Sequence, residues 1–441
     1  MLAAMSQLGQ MRVPTQMERG PSPQEPVLPL RRLPADSVHR LRLEPSASPK
    51  TQTAYGGGAL VRRVALEASA AATEAPILNP ELAWDPGNRA GIEKFIREYG
   101  KGGLKYPKDG SQALAVFDFD GTVIGAKRKS GELGDSGDAL FLYMLSHGLF
   151  KMPASWEATS KWLTDEAVAV LKAASPVGPG GDYLPTRDNK ALADAIFAIY
   201  NGKLPGSDKP AWKKALDAKS PHETPKTMSF GEAPNTMRPD YAWSMQLMAG
   251  YKPDELTSII DHAVRVALSE GNSTLPIGTQ AVNVRIRPHL QMFDLMQKLK
   301  DHGFKVVISS ATYGPMVDAV AQALKIPVDR IIGSQPALDK AGRITQGFKA
   351  CGFYPDNNQQ IMNVGTGKRC GINEFNGVKD RMMQMHSPPN IALAAVDSDG
   401  DQGLFEFADG KVVVKRKGAL LDLAAAQFGG SWWVNEPFEG P

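Results

Sequence analysis

The sequence V-F-D-F-D-G-T, from Val116 to Thr122, joins a short apolar run to two aspartates, a glycine and a hydroxyl. The apolar residues that lead into it, Ala113 to Phe117, are typical of a strand that is buried on both faces of a parallel sheet. Gly121 can bend the chain there, which leaves Asp118 and Asp120 at the carboxyl end of the strand. Ligands of open α/β sheets bind at that end, so the stretch predicts an α/β fold and a functional site.

Asp118 and Asp120 point to the same side of the predicted strand, because strand side chains alternate with a period of two. Two carboxylates that close repel each other unless a cation or a shared proton lies between them. The pair therefore indicates a metal-assisted hydrolase. The simpler alternative is a strand that ends in a polar turn, which fits an isolated D-x-D-G-T equally well.

Three later segments favour the hydrolase. F-K-V-V-I-S-S at Phe304–Ser310 is a second apolar strand, which follows the amphipathic stretch Leu290–Lys300 and ends in hydroxyls that can bind a phosphate oxygen. N-V-G-T-G-K at Asn363–Lys368 brings a lysine after two glycines, and I-A-L-A-A-V-D-S-D-G-D at Ile391–Asp401 is an apolar strand that ends in carboxylates. Phosphoryl transfer requires a nucleophile, a metal and donors for the phosphoryl oxygens, and a hydroxyl, a lysine and an acidic cluster in this order meet that requirement.

In order and spacing, the four motifs resemble those of the haloacid dehalogenase-like superfamily of phosphatases. The segments R-P-H-L-Q-M-F-D-L-M-Q-K-L-K-D-H-G-F-K-V-V-I-S-S-A at Arg287–Ala311 and S-W-W-V-N-E-P-F at Ser431–Phe438 are most similar to the branch that contains phosphoserine and phosphorylcholine phosphatases. The resemblance implies a doubly wound, Rossmann-like parallel sheet with an inserted helical cap domain. It also implies Mg²⁺-dependent hydrolysis of a small organic phosphate monoester through an aspartyl-phosphate.

The resemblance further implies a role for each motif residue. Asp118 would be the nucleophile, and Asp120 the general acid that protonates the leaving oxygen and then the base that activates water. Ser310 is preferred to Ser309 as a phosphate ligand because it directly precedes the small Ala311. The implied site consists of catalytic Asp118, Asp120 and Lys368, phosphate-binding Ser310, Lys368 and Thr122, and Mg²⁺-binding Asp118, Asp120, Asp397 and Asp401.

Two of the motif positions allow more than one interpretation. Thr122 is suited to capping a helix or turn as well as to binding phosphate. Val396 stands before Asp397, where the family often has glycine. The larger side chain crowds the turn but removes no ligand.

The prediction divides the chain into three parts. Residues 1–83 are rich in proline, arginine, serine and alanine without sustained periodicity, which predicts a disordered or weakly ordered extension. Residues 84–125 and 284–441 would form the catalytic core, and residues 126–283 the helical cap, which in this family closes over the site and selects the substrate. Helical patterns within the cap are found at Ala139–Leu149, Ser155–Ala174, Asn189–Tyr200, Tyr241–Ala249 and Pro253–Ser269.

The choice of substrate depends on the aromatic residues of the cap. Trp156 and Trp162 are six positions apart and so lie on different helix faces, which predicts that at least one faces the cleft. A cage of such rings would bind a quaternary ammonium and favour phosphorylcholine over phosphoserine, although aromatic residues at helical spacing are more often core. The aromatic residues of the cap are Tyr143, Trp156, Trp162, Tyr183, Trp212, Tyr241 and Trp243.

The alternative to an enzyme is a non-catalytic fold relative that binds a partner.

Composition limits the remaining classes. The 441 residues, 42% of them hydrophobic, can support about two to three domains. A net charge of +3 predicts no nucleic-acid partner, and no apolar run approaches the ~20 residues of a membrane span. No apolar signal core follows Met1, which favours the cytoplasm, while the compartment and the oligomeric state stay open. Cys351 and Cys370 have no metal-ligand spacing and are predicted to be ordinary thiols.

Overall fold

Six parallel strands form the central sheet of the structure, a computed structural model that describes residues 75–125, 131–212, 239–349, 362–414 and 431–434. All of these residues belong to the unit Thr73–Pro441. From one edge of the sheet to the other, the strands are β12 (Ser431–Val434), β11 (Ala408–Val414), β10 (Ile391–Val396), β1 (Leu114–Phe117), β6 (Lys305–Tyr313) and β7 (Arg330–Ser334).

Helices and three antiparallel strand pairs make up the other regular elements of the described residues. No helix among them combines the length and the apolar character that crossing a membrane requires. The strand pairs are β2 (Ile124–Gly125) with β5 (Arg287–Pro288), β3 (Thr274–Ile277) with β4 (Gln280–Asn283), and β8 (Pro336–Leu338) with β9 (Ile344–Phe348). The helices are α1 (Pro86–Tyr99), α2 (Ser136–His147), α3 (Asp165–Ala174), α4 (Lys190–Tyr200), α5 (Pro239–Gln246), α6 (Pro253–Ala267), α7 (Leu290–Asp301), α8 (Gly314–Ala323), α9 (Thr366–Phe375), α10 (Arg381–His386) and α11 (Gln402–Phe405).

Helices cover both faces of the sheet. In β1, Ala115 and Phe117 pack into a core that includes α1, α7 and α8, whereas Leu114 and Val116 pack into a second core with α9 and α11. All four side chains are buried, as expected for a central parallel strand. The predicted fold class, a doubly wound and Rossmann-like α/β sheet, is confirmed.

The strand order creates a topological switch point beside β1. The chain proceeds from β1 to β6 and β7 on one side, and then returns to build β10, β11 and β12 on the other side. A crevice therefore opens at the carboxyl ends of β1 and β10, which is where open α/β sheets bind their ligands.

The segment between β2 and β5 adds no strand to the central sheet in its described residues. It carries helices α2 to α6 and the hairpin of β3 and β4, and α2 contacts the core helix α8. The helical predictions for this segment are confirmed, except that α3 begins at Asp165 instead of Ser155. The reason is a cap, since the Thr164 hydroxyl accepts a hydrogen bond from the Ala167 N–H at 3.1 Å.

Packing begins earlier in the chain than the sequence suggests. Residues 75–83 were assigned to the extension, but Leu78 is completely buried. The Glu93 carboxylate on α1 accepts hydrogen bonds from the N–H groups of Ile77 and Leu78, both at 3.1 Å. These hydrogen bonds hold the segment against α1. Residues 1–74 lie outside the described part of the chain.

Cys370 is buried on α9, where it is disulfide-bonded. The prediction of an ordinary thiol is therefore wrong for Cys370, and Cys351 lies outside the described residues. A sulfur in a disulfide is not a thiolate, which agrees with the expectation that Cys370 binds no zinc.

Close backbone packing at β7 provides a test of the fold. A Cβ atom on Gly333 would lie 2.4 Å from the Cα atom of Gly314, at the start of α8. Gly333→Ala should therefore lower the free energy of unfolding by about 1–3 kcal/mol, since one backbone must move. Gly271→Ala is the control, because a Cβ atom there meets nothing within 4 Å. Denaturant unfolding of both variants checks the prediction, and equal effects would contradict it.

Candidate active site

The ammonium of Lys368 lies between two carboxylates and is only 1% exposed. It donates to Asp118 Oδ1 at 2.5 Å, to Asp401 Oδ1 at 2.6 Å and to the Ser309 carbonyl at 2.7 Å. Its three protons thus have three acceptors. Burial alone would lower the pKa of Lys368, but the two carboxylates outweigh burial and raise it, so the side chain stays charged.

Two glycines allow α9 to bring Lys368 to this position. Gly365 caps α9 with a φ of 55°, and its N–H donates to the Gly400 carbonyl at 2.6 Å. A Cβ atom on Gly403 would lie 2.3 Å from the Gly365 carbonyl oxygen. The absence of side chains here lets the start of α9 touch the turn that carries Asp401, so Lys368, the third residue of α9, reaches the carboxylate.

Asp118, Asp397 and Asp401 form a buried carboxylate cluster in which one oxygen atom of each residue lies within 4.8 Å of the others. Both oxygens of Asp401 accept hydrogen bonds. Oδ1 accepts from the Lys368 ammonium, and Oδ2 accepts from the N–H groups of Asp397 at 3.3 Å and Ser398 at 3.2 Å. Asp118 Oδ2 accepts from the Thr122 hydroxyl at 3.3 Å, so Thr122 holds the carboxylate of Asp118. Three carboxylates and one ammonium leave an excess of negative charge, which a divalent cation would balance.

The Asp120 carboxyl has different surroundings from this cluster. Its Oδ1 accepts from the Ser136 N–H at 2.6 Å, and its Oδ2 accepts from the hydroxyls of Ser136 at 2.9 Å and Thr312 at 2.8 Å. Burial raises the pKa of Asp120 to about 6, helped by the negative charge of Asp135 and opposed by these hydrogen bonds. A carboxyl that titrates near neutrality is suited to general acid and base catalysis.

The two serines within β6, which continues beyond them to Tyr313, have separate partners. The Ser309 hydroxyl accepts from the Asn363 amide at 2.9 Å, whereas the Ser310 hydroxyl accepts from the Thr312 N–H at 3.1 Å. The Ser310 hydroxyl therefore keeps its proton for donation to a ligand. Its role as a phosphate ligand stays a prediction.

Sequence reasoning missed three residues that hold the site together. Asn363 also donates to the Ser310 and Ile332 carbonyls at 2.9 Å. It is the first residue of the motif N-V-G-T-G-K, in which only Lys368 was predicted to have a role. Thr312 follows Ser310 by two positions, so the run of hydroxyls was a usable signal. Ser136 lies within the inserted segment and gave no signal, because only the folded chain brings it to Asp120.

The four tryptophans that were candidates for an aromatic cage, among them Trp156 and Trp162, of which one was expected to face the cleft, belong to the core. Trp156, Trp162, Trp212 and Trp243 are between 0% and 8% exposed. The Trp243 indole donates to the Thr159 hydroxyl at 3.0 Å and packs edge-on against Trp212 at 5.4 Å. The prediction that one of these rings lines the cleft is therefore wrong.

The two cavities beside β7 are not lined by the charged residues of the carboxylate cluster. They have volumes of about 280 and 590 Å³, flank the edge strand β7 and share Arg330, Ile331 and Gly333 in their lining. Neither is lined by Asp118 or Asp120. The convergence of charges and hydrogen-bond donors at the switch point, and not cavity size, defines the candidate site.

Comparison with known proteins gives distant structural similarities. No family model matches the sequence, and no curated protein matches it. The chain is similar to a conserved protein of unknown function from Anaerococcus prevotii DSM 20548, at 18% identity over 81% of this chain and 94% of that one, with a TM-score of 0.47. It is also similar to a substrate-bound phosphoserine phosphatase (10% identity, 71% of this chain, 90% of that one, TM-score 0.28).

A third similar structure is a HAD family hydrolase from Salmonella enterica serovar Typhi, at 11% identity over 71% of this chain and 66% of that one, with a TM-score of 0.32. The structures that the chain resembles thus include a phosphoserine phosphatase and a HAD family hydrolase. Because the identities and TM-scores are low, we draw the function from the side-chain geometry alone.

The buried ion pairs predict how Lys368→Met affects stability. In buffer with EDTA, the substitution should lower the free energy of unfolding by about 3–5 kcal/mol, because it leaves buried carboxylates without their cation. Added Mg²⁺ should recover part of the loss. Lys172→Met is the control, since Lys172 forms an exposed ion pair with Glu157 and its loss should leave unfolding unchanged. Denaturant titrations of both variants measure the free energy of unfolding, and equal values would contradict the buried ion pairing of Lys368.

Proposed function

We propose that this protein is a Mg²⁺-dependent phosphatase that hydrolyses a small organic phosphate monoester through an aspartyl-phosphate on Asp118. The observation that carries the proposal is the buried contact of Lys368 with Asp118 and Asp401 at the carboxyl edge of the sheet. Buried ion pairs contribute little net stability, so such an arrangement is weakly explained by folding alone. It is well explained by a need to neutralise a phosphoryl group.

In the first step, a carboxylate oxygen of Asp118 attacks phosphorus and the ester P–O bond breaks. The leaving oxygen takes a proton from Asp120, whose raised pKa permits it to hold that proton. Lys368 remains beside the phosphorylated carboxyl and offsets the charge on the phosphoryl oxygens. The Ser310 hydroxyl would donate to one of these oxygens.

In the second step, Asp120 takes a proton from water, and the water oxygen attacks phosphorus. The bond between phosphorus and the Asp118 oxygen breaks, which releases inorganic phosphate and restores the carboxylate. Lys368 stabilises Asp118 as the leaving carboxylate, since the two groups are 2.5 Å apart in the free protein.

The carboxylate cluster is suited to Mg²⁺, which prefers oxygen ligands and binds beside phosphates. Asp118, Asp397 and the main-chain carbonyl of Asp120 would hold the ion. Asp401, whose two oxygens already accept hydrogen bonds, would hold Lys368 and the loop at Asp397 in place. The bound ion supplies positive charge that stabilises the phosphoryl oxygens.

The substrate class remains a small phosphate monoester. With the tryptophans in the core, the aromatic cage no longer supports phosphorylcholine, but the Tyr241 hydroxyl and Asp135 Oδ2 lie 3.4 Å apart near Asp120. These groups could recognise a cationic leaving group, so a screen of phosphate esters should include phosphorylcholine and phosphoserine. A non-catalytic relative is less well supported, because a binding protein has no need of the buried contact of Lys368 with Asp118 and Asp401.

Asp118→Asn should lower kcat at least about a hundredfold, roughly 3 kcal/mol of transition-state stabilisation, because an amide cannot act as the nucleophile. Turnover of p-nitrophenyl phosphate with Mg²⁺ measures the effect. Asp318→Asn, on the exposed side of α8, is the control and should keep full activity. Retention of more than about a hundredth of the rate in Asp118→Asn would refute the assignment of the nucleophile.

Asp397→Asn should raise the Mg²⁺ concentration needed for half-maximal activity by at least about tenfold, because it removes a charged ligand. The rise in melting temperature that Mg²⁺ produces in the wild type should shrink in parallel. Asp254→Asn, on the surface of α6, serves as the control. If Asp397→Asn and the wild type respond alike to Mg²⁺ in both measurements, Asp397 is not a ligand.

A further inference from the structure

Asp120 is held by groups from two separate parts of the chain. Ser136 is the first residue of α2 in the inserted segment, and Thr312 lies in β6 of the core. Ser136 is fully buried and Thr312 is almost so, and their hydroxyls both donate to Asp120 Oδ2, at 2.9 and 2.8 Å. The Ser136 N–H fixes the other oxygen at 2.6 Å.

The two elements approach closely at this point. A Cβ atom on Gly137 would lie 3.0 Å from the Thr312 hydroxyl oxygen, so glycine allows the first turn of α2 to reach β6. The Thr312 N–H in turn donates to the Ser310 hydroxyl at 3.1 Å, which limits the movement of Thr312. The carboxyl of Asp120 is therefore fixed from both sides.

From this geometry, and on the basis of the proposed function, we infer that Ser136 and Thr312 are positioning residues that aim the Asp120 carboxyl at the leaving oxygen of the substrate. A carboxyl oxygen accepts hydrogen bonds whether the group is protonated or not, so both hydroxyls can keep donating to Oδ2 while Asp120 gives up and regains a proton. The inserted segment would in this way contribute directly to the catalytic site.

A residue that positions the general acid has an effect that depends on the leaving group. Protonation matters most when the departing alcohol is a weak acid, and least when it leaves easily as an anion. Loss of the Ser136 or Thr312 hydroxyl should therefore lower kcat/KM mainly for substrates with poor leaving groups. A purely structural role would reduce the rate for all esters alike.

The test measures kcat/KM for a series of substituted phenyl phosphates of decreasing phenol acidity, with Mg²⁺ present. Ser136→Ala and Thr312→Val should lose more than about tenfold with the least acidic phenol and less than about threefold with the most acidic. Thr312→Ser keeps the hydroxyl and should restore the wild-type dependence. Thr345→Val is the control, since that hydroxyl donates to the Ala337 carbonyl in the hairpin of β8 and β9.

The outcomes separate this inference from the proposed function. Equal losses across the series in Ser136→Ala and Thr312→Val, or no rescue in Thr312→Ser, would overturn the positioning role while leaving the phosphatase proposal in place. A wild-type protein that hydrolyses none of the esters would overturn the proposed function and the inference with it.

Discussion

The buried ammonium of Lys368 is the constraint on which the rest of the site depends. A charge without contact to water needs an acceptor for each of its protons, and here the acceptors are Asp118, Asp401 and the carbonyl of Ser309. Asp118 directly follows β1, Ser309 lies within β6, and Asp401 ends a short 3-10 helix, Asp399–Asp401, that follows β10. The ammonium is therefore satisfied only when the three central strands are paired in the correct register, which links assembly of the sheet to assembly of the site.

The strand order explains why residues so far apart in sequence meet. Because the chain builds one side of the sheet before the other, β1 and β10 become neighbours although they are separated by most of the folded chain. Their carboxyl ends then place Asp118 beside Asp397. Parallel strands make this possible, since every carboxyl end lies on the same edge of the sheet. The acidic cluster is thus a product of topology, since no single segment contains all of its members.

The parts of the structure that could be predicted from sequence are those whose signal is local. Central parallel strands are continuous apolar runs, so β1, β6 and β10 and the groups at their ends were recognisable. Contacts between distant segments leave no such signal. Ser136 reaches Asp120 only through the packing of α2 on the core, and Trp243 is satisfied by the hydroxyl of Thr159, a partner that helical spacing does not reveal.

The two aspartates of the first motif differ because their neighbours differ, although only one residue separates them. Asp118 faces a cation and two further carboxylates, an environment that is suited to binding a metal ion. Asp120 faces neutral donors and the negative charge of Asp135. Burial, together with the charge of Asp135, raises its pKa to about 6. A pair of carboxyl groups with such different surroundings can divide the work, one as nucleophile and the other as proton carrier. Under the proposed function, the cation on α9 therefore serves the nucleophile, and the hydroxyls on α2 and β6 serve the proton carrier.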